Sequence, residues 1–288
     1  MKLYPIQCGN FKLDGGAMFG VVPKSLWERT NPADSKNLIE LGTRSLLVED
    51  GKKLILIDCG LGNKQDEKFF GHYSLYGDES LDKNLKKFGF VREDITDVFL
   101  THLHFDHCGG AIEWNDDKSG YRPAFKNAQF WTNENHWQWA TEPNPREKAS
   151  FLKDNILPMQ ESGQLQFLPT PKTGNYGFAP DLKMDVIFVD GHTEKQMLPV
   201  IQYQEKTIVF AADLIPTAGH IPQVYVMGYD TRPLLTMEEK GKFLKQCVEN
   251  EYLLFFEHDA HHELASLKIT EKGVKLDETF SFNEVFGY

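Results

Sequence analysis

The sequence predicts a mixed α/β protein in which two sheets pack face to face and are covered by helices. Short apolar runs that end in glycine or polar residues recur in both halves of the chain, as in 98–100 and 253–256. Such runs are typical of buried strands. Segments with helical periodicity, such as 80–88 and 236–250, lie between them. Two strand-rich halves with interspersed helices favour layered sheets.

Size and charge exclude several classes of protein. The 288 residues are 41% hydrophobic and 25% charged, which is ordinary for a globular domain, and no Pro-rich linker separates two halves. We therefore expect one domain over 1–288. The net charge of -11 disfavours nucleic-acid partners, because phosphate-binding surfaces need clustered Lys and Arg. No apolar run is long enough to span a bilayer, and the first residues lack a signal-peptide core, so we expect a cytoplasmic protein without membrane partners.

The elements follow in order. An N-terminal strand over 1–13 precedes a glycine-rich, apolar stretch, 15–24, which we interpret as a long loop with exposed apolar side chains. An Asp-Gly turn predicts a hairpin, and Ser80 and Gly89 bracket a helix. The connection around 111–163 exceeds what a scaffold requires, and we interpret it as an insertion that shapes substrate access. Other predicted elements are strands at 44–48, 53–57, 129–132, 164–168, 185–189, 197–203, 207–211 and 264–269, and helices at 133–140 and 145–157.

The segment 101–110 concentrates the chemistry of the chain. It places three histidines and a carboxylate within six residues, directly after an apolar run. Imidazole and carboxylate are ligands for zinc and its divalent neighbours. If His102 and His104 alternate along an extended backbone, they can bind one ion, while Asp106 and His107 in the following turn can bind a second. A His-rich surface loop without a ligand is the alternative.

The run His102-Leu103-His104-Phe105-Asp106-His107 resembles the His-x-His-x-Asp-His signature of the metallo-β-lactamase superfamily. This resemblance implies a four-layer αββα sandwich and three further ligands, each after a strand. His192, Asp213 and His258 each follow an apolar run. The resemblance implies that His102, His104 and His192 hold the first metal, that Asp106, His107 and His258 hold the second, and that Asp213 bridges them.

The types of these ligands indicate which divalent metals the two sites accept. Zinc is the expected metal, and manganese, iron or cobalt remain alternatives, since His and carboxylate sites accept all four. The run Asp58-Cys59-Gly60-Leu61-Gly62 resembles the family's Asp-x-Gly loop, whose acid orients ligands from behind. Redox diiron relatives carry Glu where this chain has His104. The sequence therefore predicts a hydrolase.

The substrate class follows from the resemblance. Asp213 and the His258-Asp259 pair resemble those of N-acyl homoserine lactonases and methyl-parathion-hydrolase-like enzymes. We expect a small neutral ester or lactone, with an acyl homoserine lactone as first candidate and aryl esters or organophosphate triesters as alternatives. Asp106 can also give a proton to the leaving oxygen. A phosphodiesterase or nuclease, disfavoured by charge, and a non-catalytic metal-binding protein complete the alternatives. Relatives are often homodimers.

One departure from the lactonases concerns the group that polarises the substrate carbonyl. Many lactonases have a tyrosine where this chain has Pro216. Either His220 or Tyr229 could supply the missing hydrogen bond, and the alternative is that both are ordinary loop residues. Apolar loop residues could contact the substrate or simply pack on the protein. The expected substrate contacts are Met18, Phe19, Trp27, Phe69 and Phe105.

Overall fold

A computed structural model describes residues 1–172 and 176–287. The chain divides into two compact units, Met1–Asn10 with Thr43–Gly177 and Phe11–Gly42 with Phe178–Tyr288. The expected single domain and its substrate-shaping insertion stay predictions. No helix in the described part of the chain combines the length and the apolar character that crossing a membrane would require.

Strands and helices alternate along the chain, as the sequence predicts. The strands are β1 Lys2–Asp14, β2 Leu38–Asp50, β3 Lys53–Ile57, β4 Asp97–Phe99, β5 Ile112–Trp114, β6 Tyr121–Pro123, β7 Gln129–Asn133, β8 Leu165–Leu168, β9 Tyr176–Ala179, β10 Met184–Val189, β11 Gln196–Tyr203, β12 Lys206–Phe210, β13 Leu253–Phe255, β14 Leu264–Thr270 and β15 Gly273–Phe280. The helices are α1 Gly15–Phe19, α2 Lys24–Trp27, α3 Glu67–Gly71, α4 Leu81–Lys87, α5 Phe105–Cys108, α6 Glu134–Thr141, α7 Lys153–Glu161, α8 Pro233–Glu249 and α9 Phe282–Phe286.

Within residues 1–172 and 176–287, the first sheet has six strands in the order β1-β2-β3-β4-β7-β8. The predicted hairpin is confirmed: β2 and β3 pair antiparallel around Gly51, whose φ of +64° suits glycine. β4 runs parallel to β3 and to β7, so its carboxyl end delivers the segment that starts at Thr101. The apolar side chains of these strands, such as Leu56, Val98 and Phe130, are fully buried in one core of the first unit.

The segment 111–163 contains elements that periodicity alone does not reveal. β5 and β6 form a two-stranded antiparallel ribbon that the sequence does not predict. The helix predicted over 145–157 begins instead at Lys153 and continues to Glu161, past Pro158. The residues over 145–150 form turns instead of a helix, and Glu147 among them is buried.

In the part of the chain that the structure describes, the second sheet has seven strands in the order β15-β14-β13-β12-β11-β10-β9. β12 and β13 are parallel neighbours, so their carboxyl ends, which precede Asp213 and His258, lie at the same edge. The helix predicted over 236–250 is confirmed and is longer at its start, because Pro233 occupies the first turn, where its missing N–H carries no penalty.

The prediction of an exposed loop over 15–24 is wrong. Residues Gly15–Phe19 form helix α1, which the Asp14 side chain caps by accepting from Ala17 N at 2.8 Å. Met18 and Phe19 are buried rather than exposed. The local sequence does not predict this helix, because glycine has a low helical propensity.

Candidate metal centre

A buried carboxylate after β3 organises the metal motif in the first unit. Asp58 accepts from Thr101 N at 2.8 Å through Oδ1 and from the Thr101 hydroxyl at 2.6 Å through Oδ2. Nδ1 of His107 lies 3.0 Å from the same Oδ2. All three side chains are completely buried. Asp58 therefore contacts Nδ1 of His107, the side of the ring from which the resemblance expects this acid to act.

His102 and His104 turn ring nitrogens toward each other, with Nε2 of His102 3.1 Å from Nδ1 of His104. The Thr101 hydroxyl lies 3.1 Å from Nδ1 of His102 and donates its own proton to Asp58, so it must accept from that nitrogen. Nε2 of His104 lies 3.3 Å from Oε1 of Glu147. Protons on these outer nitrogens leave two lone pairs facing each other.

Asp106 and His107 lie on the short helix α5 that follows. Nε2 of His107 is 3.9 Å from Oδ1 of Asp106, and the Asp106 side chain is 13% exposed. Because Nδ1 of His107 faces Asp58, its Nε2 is the nitrogen left for a ligand. The Lys64 ammonium donates to Gly109 O at 2.6 Å and so holds the end of the motif in place.

In the second unit, Asp213 lies between two histidines. Its Oδ2 is 3.2 Å from Nε2 of His192, and its Oδ1 is 3.1 Å from Nε2 of His258. Nδ1 of His192 lies 2.9 Å from Oδ1 of Asp230, and Nδ1 of His258 lies 2.9 Å from Gly42 O. A backbone carbonyl can only accept, and a carboxylate is the matching partner for an N–H, so both histidines carry their proton on Nδ1.

These arrangements test whether the residues suit metal ions. In the first unit, the lone pairs of His102 and His104 converge, and in the second the Nε2 lone pairs of His192 and His258 face Asp213. Hydrogen-bond acceptors at this separation repel each other unless a cation lies among them. Neutral imidazole and carboxylate are the ligands of zinc and related divalent ions. The donor set of each unit therefore fits divalent metals.

The loop before His192 is held by the start of α8. Glu239 accepts from Asp190 N at 2.8 Å and from Gly191 N at 2.9 Å, one amide on each carboxylate oxygen. Burial raises the pKa of Glu239, which the two amide donors counteract. A Cβ at Gly191 would come within 2.4 Å of Thr236 N, so the loop packs against the helix at van der Waals limits. His192 is thus placed by α8 as well as by its own strand.

His220, predicted to donate to the substrate, has both ring nitrogens engaged within the second unit. Nε2 donates to Met18 O at 2.9 Å, and Nδ1 accepts from the Thr217 hydroxyl at 2.8 Å. The ring is fully buried and stacks on Phe19 at 4.0 Å between centroids. Burial lowers the pKa of His220 to about 3. This geometry gives His220 a positioning role for the α1 segment rather than the predicted donor role.

Tyr229, the other predicted donor, lies on an exposed part of the loop before α8. Its side chain is 41% exposed. The preceding amide, Gly228 N, donates to Ala17 O at 2.8 Å, so this loop is tied to α1 next to the bond that His220 makes. Pro216, which stands in place of a lactonase tyrosine, is buried.

The predicted substrate contacts separate into two groups. Met18, Phe19 and Trp27 are buried, and Phe19 stacks on Trp27 with ring centroids 5.3 Å apart. They form part of the packing of the second unit. Phe105 packs against half-buried Phe69, with ring centroids 5.2 Å apart. This cluster belongs to the first unit, and Phe105 directly precedes Asp106 in the chain.

Several residues of the site were missed from the sequence. Glu147 lies on the predicted insertion and also accepts from Trp139 Nε1 at 2.7 Å, while His136 accepts from Leu103 N at 2.8 Å. Asp230 and Glu239 lie in segments without any motif. Each is remote in the chain from the histidine that it supports, so sequence spacing carries no signal for them.

The chain is similar to known proteins over most of its length. The sequence profile described as the metallo-beta-lactamase superfamily matches residues 38–245. The chain belongs to this superfamily. The predicted fold and the predicted class, a metal-dependent hydrolase, are confirmed.

Relatives within the metallo-beta-lactamase superfamily include lactonases. An N-acyl homoserine lactonase of Bacillus cereus is 22% identical over 275 residues, which are 91% of this chain and 94% of the relative. A probable metal-dependent hydrolase from Staphylococcus aureus superposes with a TM-score of 0.85 at 27% identity, over 97% of this chain and 96% of the other. AidC, described as a dizinc quorum-quenching lactonase, superposes with a TM-score of 0.76 at 22% identity, over 97% and 95% of the two chains.

Proposed function

We propose that this chain is a dinuclear metal-dependent hydrolase of small neutral esters or lactones, with acyl homoserine lactones as the first substrate class. The observation that carries the proposal is the position of Asp213, whose two oxygens face the unprotonated Nε2 atoms of His192 and His258. A carboxylate flanked in this way has one ligand oxygen for each of two cations. A structural ion pair would instead require protonated imidazoles on both sides.

The proposed ligand set is the one that the resemblance implies. His102, His104 and His192 would hold the first ion, Asp106, His107 and His258 the second, and Asp213 would contribute to both. Zinc is the first choice, since a relative of this fold is described as dizinc. When bound, two such ions supply Lewis-acid polarisation and lower the pKa of water.

The chain's own side chains supply proton transfer and the hydrogen bond to the substrate carbonyl. Hydrolysis adds one water across the ester C–O bond, so that a carboxylate forms and the leaving oxygen takes a proton. Asp106 is partly exposed while its neighbour His107 is buried, and we assign it the delivery of that proton. We assign Tyr229 the hydrogen bond to the carbonyl oxygen, because its hydroxyl is on the partly exposed loop and His220 is engaged elsewhere.

The preference for an apolar acyl group rests on the aromatic cluster of Phe69, Tyr73 and Phe105. Their ring centroids lie 4.6 to 5.2 Å apart, and the cluster begins beside Asp106. Aromatic walls with few polar groups suit a small apolar chain. The net charge of -11 disfavours polyanionic substrates, and two of the three similar proteins named above are lactonases. The homodimer implied by the resemblance stays a prediction.

The test is a hydrolysis panel with protein whose metal content has been quantified. The panel contains a short and a long acyl homoserine lactone, an aryl ester, a phosphotriester and a phosphodiester. Two metals per chain with lactone opening is the expected result. Cleavage of the aryl ester or phosphotriester alone would replace the lactonase proposal with the alternative that the sequence left open. Protein that binds no metal under any loading condition would contradict the dinuclear site.

A further inference from the structure

Helix α8 carries a buried lysine that the proposed chemistry does not use. Lys240 is 1% exposed, and its ammonium donates to Tyr225 O at 2.7 Å. This is its one hydrogen bond to the described residues. Burial lowers the pKa of Lys240 to about 7, and the nearby Asp230 carboxylate acts in the opposite direction. A buried ammonium is costly unless it is well paired, and an apolar side chain of similar size would usually be more stable there.

Tyr225 belongs to the loop of residues 221–232, which connects the His220 turn to α8. The loop folds on itself through Tyr225 N to Pro222 O at 2.8 Å and Asp230 N to Met227 O at 3.2 Å. Gly228 N ties it to α1. At the end of the loop, Arg232 O accepts from Thr236 N at 2.9 Å, and Thr231 N and Arg232 N donate to His192 O and Gly191 O. Gln223 Nε2 donates to Met237 O at 3.0 Å on the exposed side. Lys240 is therefore a buried anchor of the middle of this loop on the helix.

Two adjacent residues of α8 hold two different loops. Glu239 binds the backbone amides that precede His192, and Lys240 binds a backbone carbonyl four residues before Tyr229. An acid suits the first loop because it presents amides, and an ammonium suits the second because it presents a carbonyl. The helix thereby supports a metal ligand through one side chain and the Tyr229 loop through the next.

We propose that Lys240 is a positioning residue that holds the 221–232 loop so that Tyr229 reaches the substrate carbonyl, which rests on the donor role proposed for Tyr229. Asp230, Thr231 and Arg232 have their own hydrogen bonds to His192 and Gly191, which do not involve Lys240, so the expected effect is on turnover and not on metal content. Glu239 has the complementary role, since it fixes the loop of His192.

The experiment compares Lys240→Met, which removes the donor at similar volume, with Lys240→Gln, which keeps an N–H donor. Lys242→Met is the matched control, because Lys242 lies two residues away on the same helix and is 70% exposed. Glu239→Gln is the contrasting variant. Turnover, KM, metal content, Tm and hydrogen exchange of peptides covering 190–193 and 221–232 are measured for all four variants and the parent protein.

We expect Lys240→Met to lower kcat at least 10-fold, with KM within threefold, two metals retained and Tm not lowered. Exchange should rise in 221–232 and stay unchanged in 190–193. Lys240→Gln should recover most of the turnover, and Lys242→Met should behave as the parent. Glu239→Gln should raise exchange in 190–193 and lower metal content.

Unchanged kcat in Lys240→Met would overturn the proposal, as would a loss of kcat that comes only with lost metal or a lower Tm. If Lys240→Met does not fold, the test uses Lys240→Gln, provided that this variant retains two metals and shows unaltered exchange in 221–232. Near-parental turnover in Lys240→Gln then supports the proposal. A full loss of turnover contradicts it. If the parent protein opens no lactone, turnover is read on the panel ester that it does cleave. Exchange in 221–232 that is insensitive to Lys240→Met would then refute the positioning role independently of the substrate.

Discussion

His258 points its Nε2 at Oδ1 of Asp213, 3.1 Å away, while its Nδ1 faces the carbonyl oxygen of Gly42 at 2.9 Å. The carbonyl fixes the proton on Nδ1, so the nitrogen that meets the carboxylate has a lone pair. The pair is therefore arranged for a cation and not for a simple hydrogen bond. The same reasoning applies to His192, whose Nδ1 faces Asp230.

Replacement of Asp213 by alanine should remove an oxygen ligand from both proposed ions. Loss of an outer partner costs about 10- to 100-fold in affinity or activity, and loss of a shared ligand should exceed that. We expect fewer than two metals per chain and more than ~100-fold lower activity, measured by elemental analysis and steady-state kinetics. Asp78→Ala, at an exposed acid, serves as the control. Full activity with two metals retained in Asp213→Ala would refute the bridging assignment.

Asp230→Ala should weaken metal binding without removing any ligand. Asp230 holds the Nδ1 proton of His192 and is 1% exposed, so its loss frees the ring to rotate and to change tautomer. Affinity for zinc, measured by competition with a chelator, should fall about 10- to 100-fold. Asp230→Asn keeps an oxygen acceptor and should lose less. Equal affinity in the alanine variant and the parent would show that His192 does not depend on this contact.

The stability of the protein should fall in acid through His220. Its folded-state pKa of about 3 lies below the ordinary value of 6.5, so the unfolded chain binds a proton first as pH falls. The contribution of neutral His220 is present above pH 6.5 and declines toward pH 3, by up to about 1.4 kcal/mol per pH unit. The difference in free energy of unfolding between the parent and His220→Phe should therefore narrow as pH decreases from 6.5.

Urea titrations at several pH values measure this difference. Phe19→Leu removes the stacking partner of His220 but no titratable group, so its destabilisation should not follow the same pH profile. A constant difference between the parent and His220→Phe down to pH 4.5, well inside the roughly three-unit window of this shift, would contradict a buried neutral imidazole.

Phe105→Ala should discriminate between acyl chains of different length. Phe105 packs with Phe69 and Tyr73, and each methylene that loses such contact forfeits roughly 0.8 kcal/mol. We expect kcat/KM for a ten-carbon acyl chain to fall about 10-fold more than for a four-carbon chain, since two or so methylenes lose their contacts. Phe178→Ala, at a residue that is 58% exposed, is the control. Equal losses for both chains at constant metal content would remove the cluster from the substrate site.

Much of the fold follows from local patterns. The β2–β3 hairpin was predicted by its Asp-Gly turn, and helix α4 by Ser80 and Gly89, because turn and cap residues act through contacts within a few positions. The α1 helix and the β5–β6 ribbon were missed. Packing and long-range pairing stabilise these elements against weak local preferences, and no short sequence window records that.

The amino-acid sequence by itself determines the motif from His102 to His107 and predicts the strand-end positions of His192, Asp213 and His258. Both follow from residue type and from where each strand ends. Tertiary structure alone decided which nitrogen of each histidine is protonated, since Glu147, Asp230 and the Gly42 carbonyl come from distant segments. It also decided that His220 supports α1, because a ring's hydrogen-bond partners depend on packing in three dimensions and not on spacing along the chain.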